Sequence, residues 1–273
     1  MGTAKSSSLT HEAGSANVFA AQAGNPDFVL SLARGLRVIE SFEGHLEGRT
    51  IIEVSQSTGL SRASIRRILL TLERLGYVER SRQVYRLKTQ VLRLGFSFLS
   101  SSSVVEAARP VLERITERVH ESASMSMLDG TEIVYVARSA ASRVLAAGLS
   151  VGSRLPAYCT SMGRVLLASL PEAQLESYLH EVRLKAHTPR TITRIPQLKK
   201  AILSALRNGY AIVDQELEAG LRSIAVPVLT RSNQVVAAIN VGTHVTRVDS
   251  STLVKVCLPA LQEGARTLRE ILI

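Results

Sequence analysis

Arginine can hold guanine O6 and N7 together, because its guanidinium is a planar fork of donors. Between Ser61 and Leu75 the chain places Arg62, Arg66, Arg67 and Arg74 in one short segment. Ile65, Ile68, Leu69, Leu72 and Leu75 recur there at helical spacing on one side, and Ala63, Arg66, Arg67, Thr71 and Arg74 fall on the other. A helix with a small-residue start and a cationic outer face suits a DNA major groove. The plain alternative is a surface helix with solvated arginines, and the next segment argues against it. Gly76 ends the helix, and Tyr77–Arg80 and Val84–Leu87 read as strands around the polar turn Ser81-Arg82-Gln83. That hairpin carries arginines at and beside its tip, as a wing touching phosphates does. Base reading therefore falls to Arg66 or Arg67, with Arg62 beside them in the first half of the helix. Ser61, Ser64, Thr71, Arg74, Arg80 and Arg82 read as phosphate contacts, which position without specifying.

Other elements must hold that helix in place. Thr50 and Glu53 form a capping box for a preceding helix with Ile51 and Val54 inward. Gly59 breaks it, and Ser61 caps the next helix. Upstream, Ser31 reads as the cap of a supporting helix with Leu32, Leu36, Ile39 and Phe42 facing inward. Residues 1–26 are rich in Ser, Ala and Gly and read as a flexible tail. Residues 27–88 are then a winged helix-turn-helix domain, and 89–103 a linker helix that ends in the polar run Ser100–Ser103.

The charge distribution agrees. The formal net charge is +10, and the stretch from Arg49 to Arg93 holds ten Lys/Arg against three Asp/Glu, a net +7. A basic excess concentrated on a defined motif points to nucleic acid. Trp is absent and aromatic residues are 4% of the chain, which argues against a stacking platform for single strands. With 273 residues and 45% hydrophobic content the chain can bury the cores of about two domains.

Residues 104–273 alternate between patterns. A helix over Val104–Val119 is interrupted or kinked at Pro110. Ser124–Leu128 and Glu132–Ala137 read as a hairpin around Asp129-Gly130, and Val144–Leu149 as a third strand. Helices follow at Thr160–Leu170, Pro171–His180 and Ile195–Asn208, the last closed by Gly209. Strands return at Ala211–Asp214, Ser223–Leu229 and Val235–Val241, before a terminal helix over Leu253–Leu272. The fold class is α+β, with one antiparallel sheet in the second domain.

Four stretches together resemble the IclR family of bacterial transcriptional regulators: Ser31–Leu36, TGLSRASIRRILLTLERLGYV, LPAYCTSMGRVLLA at 155–168, and DQELEAGLRSIAVPV at 214–228. The similarity spans residues 28–273 and is nearest to regulators of protocatechuate, 4-hydroxybenzoate and β-ketoadipate breakdown. It implies a winged helix-turn-helix, a linker helix and a GAF-like effector-binding domain, acting as dimers or dimer pairs on double-stranded operator DNA. It also implies a small carboxylate effector, either an aromatic catabolite or a β-ketoadipate-like acid. Carried over residue by residue, Gly163, Asp214, Ile224, Asn240 and Gly242 occupy effector-contact positions, with Thr160, Met162 and Glu216 in the same segments. Some relatives have Cys at the position of Ile224 and Ser at those of Asn240 and Gly242, and these departures argue against a small polar ligand such as glyoxylate. Ser161-Met162-Gly163 at a helix start offers backbone amides to an anion. Arg154 and Arg222 are the cations expected to pair with a carboxylate, or else they form surface ion pairs. Tyr158 either stacks on an aromatic acid or packs half-buried.

Rival readings are weaker. Cys159 with His180 or His187 as base would be a nucleophile, but no nucleophile-elbow motif or telling His/Asp spacing accompanies it. Cys159 and Cys257 lack metal-ligand spacing, and His120, His180, His187 and His244 do not form ligand pairs on one helix face, so neither metal nor cofactor is expected. No stretch is apolar enough to span a bilayer and no signal peptide is visible, so the expected location is the cytoplasm. A second domain that only oligomerises a DNA-binding repressor, or that answers a non-aromatic acid, is the remaining alternative.

Overall fold

The computed structural model describes residues 25–141 and 149–272, which divide into two compact units, one ending at Phe98 and one beginning at Leu99. Of the expected tail over 1–26, residues 1–24, and of the expected strand over Val144–Leu149, residues 144–148, lie outside the described residues.

In the first unit, helix α1 (Leu30–Glu40) precedes strand β1 (Arg49–Thr50), α2 (Ile51–Thr58) and α3 (Arg62–Arg74). The wing is β2 (Val78–Ser81) and β3 (Val84–Leu87), and β1 adds a third strand in the order β1-β3-β2. β1 is too short to show any period, so it is invisible in the sequence. Thr50 and Glu53 make the capping box, Gly59 closes α2 in the left-handed region, and Ser61 caps α3 through the Ser64 amide. Ile65, Leu69 and Leu72 are buried with Val38, Phe42, Val54, Val78 and Tyr85.

Three expectations need correction. Ser31 is not a cap: α1 starts at Leu30 and no side chain caps it. Leu32 and Leu36 are 61% and 46% exposed, because α1 turns Val38 rather than those residues into the core. Leu75, at the C-cap of α3, is also exposed rather than inward.

Helix α4 (Leu92–Ser101) follows a short 3-10 turn, and α5 (Ser103–Val119) begins after a break confined to Ser102. α5 continues through Pro110 as a single helix. Pro110 and Glu106, whose carbonyl it deprives of a donor, both face solvent, while Ala108, Val111, Leu112 and Ile115 are buried.

The second unit is built on a six-stranded antiparallel sheet. Its strands are β4 (Ser122–Asp129), β5 (Glu132–Ser139), β6 (Arg154–Pro156), β7 (Ala211–Asp214), β8 (Leu221–Leu229) and β9 (Val235–His244), in the order β6-β5-β4-β9-β8-β7. The β4–β5 turn is Gly130-Thr131, one residue later than expected, because Asp129 pairs with Glu132 and Gly130 takes φ +60°. One face of the sheet packs on α5 and on α9 (Leu258–Ile271), with Met125, Ile224, Val226, Ile239 and Val241 between them. The other face packs on α6 (Ser161–Ala168), α7 (Glu172–Glu181) and α8 (Ile195–Asn208), through Ile133, Ala225 and Ala238.

Helix α6 approaches the chain just before it very closely. A Cβ at Gly163 would collide with the backbone of Ala157. Thr160 completes the seat by accepting the Gly163 amide at 3.2 Å. Gly163→Ala is therefore expected to cost about 1–3 kcal/mol by overpacking. In thermal denaturation that lowers the melting temperature by roughly 3–10 °C. An unchanged melting curve would mean that α6 is not held at this contact.

Candidate functional site

The first site is the cationic face of α3. Arg62, Arg66, Arg67, Thr71 and Arg74 are all exposed, and Ser61 and Ser64 are bonded to each other at its start. Among the described residues none of those four arginines has a carboxylate partner. Thr71 Oγ1 donates to Arg67 O at 2.9 Å, leaving its oxygen able to accept. At the wing, Arg82 takes φ +56° at the tip, and Arg80 donates from Nε to Arg82 O and lies 5.7 Å from the Tyr85 ring centroid. Arg80 thus braces the turn that presents Arg82.

The second site is a cavity of ≈ 290 Å³ between the sheet and the N-terminus of α6. Its floor comes from alternate residues on neighbouring strands. Ser122 pairs with Gly242 and Ser124 with Asn240 across β4 and β9, and Ser223 pairs with Gly242 across β8 and β9. A Cβ at Gly242 would meet nothing within 4 Å, so its absence leaves open space. Thr160, Ser161 and Met162 form the opposite wall, where the first-turn amides of α6 point out of the helix. Ser126 Oγ donates to Met162 Sδ at 3.2 Å and locks that side chain. Ser161 Oγ and Asn240 Oδ1 are buried without a hydrogen-bond partner among the described residues. Tyr135 also lines the cavity, and burial pushes its phenol up to about 12 against the opposing pull of Arg138. At the far end Arg247 engages Glu121 through two bonds of 2.8 Å, beside His120 and His244.

Of the effector residues expected from the sequence, the cavity brings together Thr160, Met162, Asn240 and Gly242. The others lie outside its lining. Arg154 pairs with Asp129 and Glu132 at 2.8 Å each. Arg222 pairs with Asp214, which also binds Arg190. The hydrogen bond from Arg222 holds the Asp214 carboxyl below the usual range, against the opposing cost of burial. Glu216 is buried against Arg164 at 2.6 Å. Ile224 is on the opposite face of the sheet, in the core with α5 and α9. Gly163 is packed on Ala157. Tyr158 is buried, with its hydroxyl donating to Lys185 O and accepting from Lys185 N. Ser122, Ser124, Tyr135, Arg138 and Ser223 line the cavity and were missed. The serines of β4 alternate with Ala123 and Met125, a period-2 signal that marks a polar inner face.

Cys159 has no base beside it. Burial, reinforced by Glu216, pushes its thiol up to about 12, and the thiol points to the Pro156 carbonyl at 3.8 Å. His180 and His187 are exposed and not bonded to it. Among the described residues no His/Cys/Asp/Glu cluster could hold a metal, and no helix is long and apolar enough to cross a membrane.

Residues 96–270 match the model of the IclR C-terminal domain of bacterial transcriptional regulators, and residues 31–82 match the IclR helix-turn-helix domain. The chain belongs to the IclR family. It is a transcriptional regulator with an N-terminal DNA-binding domain, not an enzyme. The Pca regulon regulatory protein of Pseudomonas putida is 48% identical, over 90% of this chain and 84% of that protein. The p-hydroxybenzoate hydroxylase transcriptional activator of Acinetobacter baylyi is 35% identical, over 90% and 92%. The crystal structure of an IclR homolog from Microbacterium hydrocarbonoxydans complexed with 4-hydroxybenzoate superposes with a TM-score of 0.76 at 26% identity, covering 89% of this chain and 98% of that one.

The roles expected of Arg67 on α3 and Arg82 on the wing can be told apart by experiment. With duplexes selected from a random pool, Arg67→Ala should cost about 1–3 kcal/mol on the preferred sequence only. Arg82→Ala should weaken every duplex alike and lower the salt slope by about 1. Anisotropy titrations at several salt concentrations read both. A uniform loss for the two variants would abolish the distinction between reader and phosphate contact.

Proposed function

We propose that this IclR-family regulator binds operator DNA as a homo-oligomer and changes state when a small carboxylate enters the cavity of its second unit. The effector belongs to the aromatic-acid class or is a short ring-cleavage acid of similar size. The carrying observation is the cavity itself, hydroxyl-lined, floored by small residues and closed by the N-terminus of α6. A cavity of about 150 Å³ accepts benzene, so the space here admits one ring with polar substituents. The resident helix amides favour a negative charge. The Pca regulon and p-hydroxybenzoate hydroxylase regulators to which the chain is similar, and 4-hydroxybenzoate in the Microbacterium structure, support the same class. The site of action is the cytoplasm, where the operator lies.

Self-association is supported by an apolar surface. On α4, Leu92, Phe96 and Phe98 are 70%, 67% and 50% exposed, and Leu94 accompanies them. Exposed apolar clusters of this kind mark interaction surfaces. Two half-sites about one helical turn apart, or a multiple of that, would match a symmetric pair.

Two outcomes are expected. At a hundred times its dissociation constant the true effector adds about 2.7 kcal/mol of apparent stability, read as a rise in melting temperature in a screen of protocatechuate, 4-hydroxybenzoate, β-ketoadipate, muconate and glyoxylate. Complete indifference to every acid, in protein that still binds duplex DNA, would leave the second unit with oligomerisation alone. Separately, Phe96→Glu should shift the oligomer toward monomer in sedimentation velocity while the far-UV circular dichroism stays unchanged. An oligomer that persists would place the interface elsewhere.

A further inference from the structure

The cavity has two guanidiniums in its lining, and they are not equivalent. Arg247 has both its Nε and one terminal nitrogen committed to the Glu121 carboxylate. Arg138 meets no carboxylate among the described residues. Its side chain donates from Nη1 to Leu149 O at 2.7 Å and forms no other hydrogen bond among the described residues. It is half-buried, which makes the missing counter-charge expensive.

Its direction is set by an irregularity in the sheet. Strand β5 pairs with β4 as Ser126↔Tyr135 and then Met125↔Ala137, so Val136 is an extra residue. Val136 and Ala137 consequently both face the core formed with α5 and α9, whereas Tyr135 faces the opposite side. Strict alternation from Tyr135 would send residue 138 to the α5 side. The bulge reverses that, and Arg138 comes to the cavity side opposite Ser124. Bulges recur beside functional sites because they re-aim a side chain in this way.

We propose that Arg138, turned into the cavity by the bulge at Val136–Ala137, pairs with the carboxylate of the effector. This deepens the reading given above and rests on it. Ser124 lies beside Arg138 in the adjacent strand, and the first-turn amides of α6 supply further donors to the same anion. Arg247 cannot take the role without giving up Glu121, so the anionic end of the ligand lies toward β5 and its other end toward Glu121 and Arg247. The arginines outside the cavity, Arg154 and Arg222, are held by their own carboxylates.

The test compares acids with their neutral amides on the full chain by calorimetry: 4-hydroxybenzoate, protocatechuate and adipate, each against its amide. Wild type should bind at least one acid and prefer it to the amide. Arg138→Gln should weaken that acid about tenfold to a hundredfold, the range expected for loss of a charge-assisted pair. It should leave amide binding unchanged, and Arg138→Lys should fall between. A folded Gln variant that keeps the full preference for acid over amide overturns the assignment. So does a wild-type protein that binds the amide as tightly as the acid, which keeps the test open should the Gln variant not fold. Wild type that ignores all three acids sinks the carboxylate reading itself, and Arg138 with it.

Discussion

A guanidinium taken out of water must meet an acceptor, and this single requirement sorts the arginines of the chain. Desolvating a charge costs several kcal/mol unless a partner and further hydrogen bonds replace the water. In the second unit four guanidiniums meet it internally, Arg154 by Asp129 and Glu132, Arg164 by Glu216, Arg222 by Asp214 and Arg247 by Glu121, whereas Arg138 meets only the Leu149 carbonyl. On α3 it is met by solvent, because Arg62, Arg66, Arg67 and Arg74 are exposed. Solvent is a replaceable partner, and phosphate or guanine can take its place with release of counterions. The same residue type is thus a structural clasp where a carboxylate is in reach and a contact open to a ligand where none is, as on α3 and at Arg138.

That sorting explains what could be read from the residues alone. The DNA-binding half was largely legible, since capping boxes, helical spacing and a Gly stop are local signals. Thr50, Ser61 and Gly59 did what their positions dictated. The exceptions, Leu32, Leu36 and Leu75, are apolar residues at helical spacing that the unit leaves exposed; periodicity reports an apolar face and not what covers it. The cavity was half legible. Thr160, Met162, Asn240 and Gly242 lie in segments with a clear element type. Arg154 and Arg222 were drawn in because they stand near those segments in the chain. Their partners come from strand pairing, Asp214 opposite Arg222 and the β4–β5 hairpin opposite Arg154, which no spacing rule encodes. Arg138 was missed for the converse reason. A single extra residue in β5 moves it to the other face, and a period-2 reading has no way to see that shift.

The buried pair of Arg164 and Glu216 carries the argument further. Replacing such a pair by apolar residues is often neutral for stability, so its contribution is better sought in geometry. Arg164 belongs to α6, whose first turn walls the cavity, and it also donates from Nε to Tyr158 O. Glu216 opens the segment that contributes Leu217, Glu218 and Ala219 to the cavity lining. Thr191 Oγ1 donates to Glu216 O, and Ile192 N to its carboxylate, so a third stretch of chain is pinned to the same point. A pair this deeply buried, with side chains 5% and 9% exposed, does not yield gradually, since close-packed interiors shift between discrete arrangements. The helix that offers its amides and the segment that borders the ligand are therefore mechanically one wall. A ligand that displaces either must displace both, and that is how a small acid can act on more of the unit than it touches.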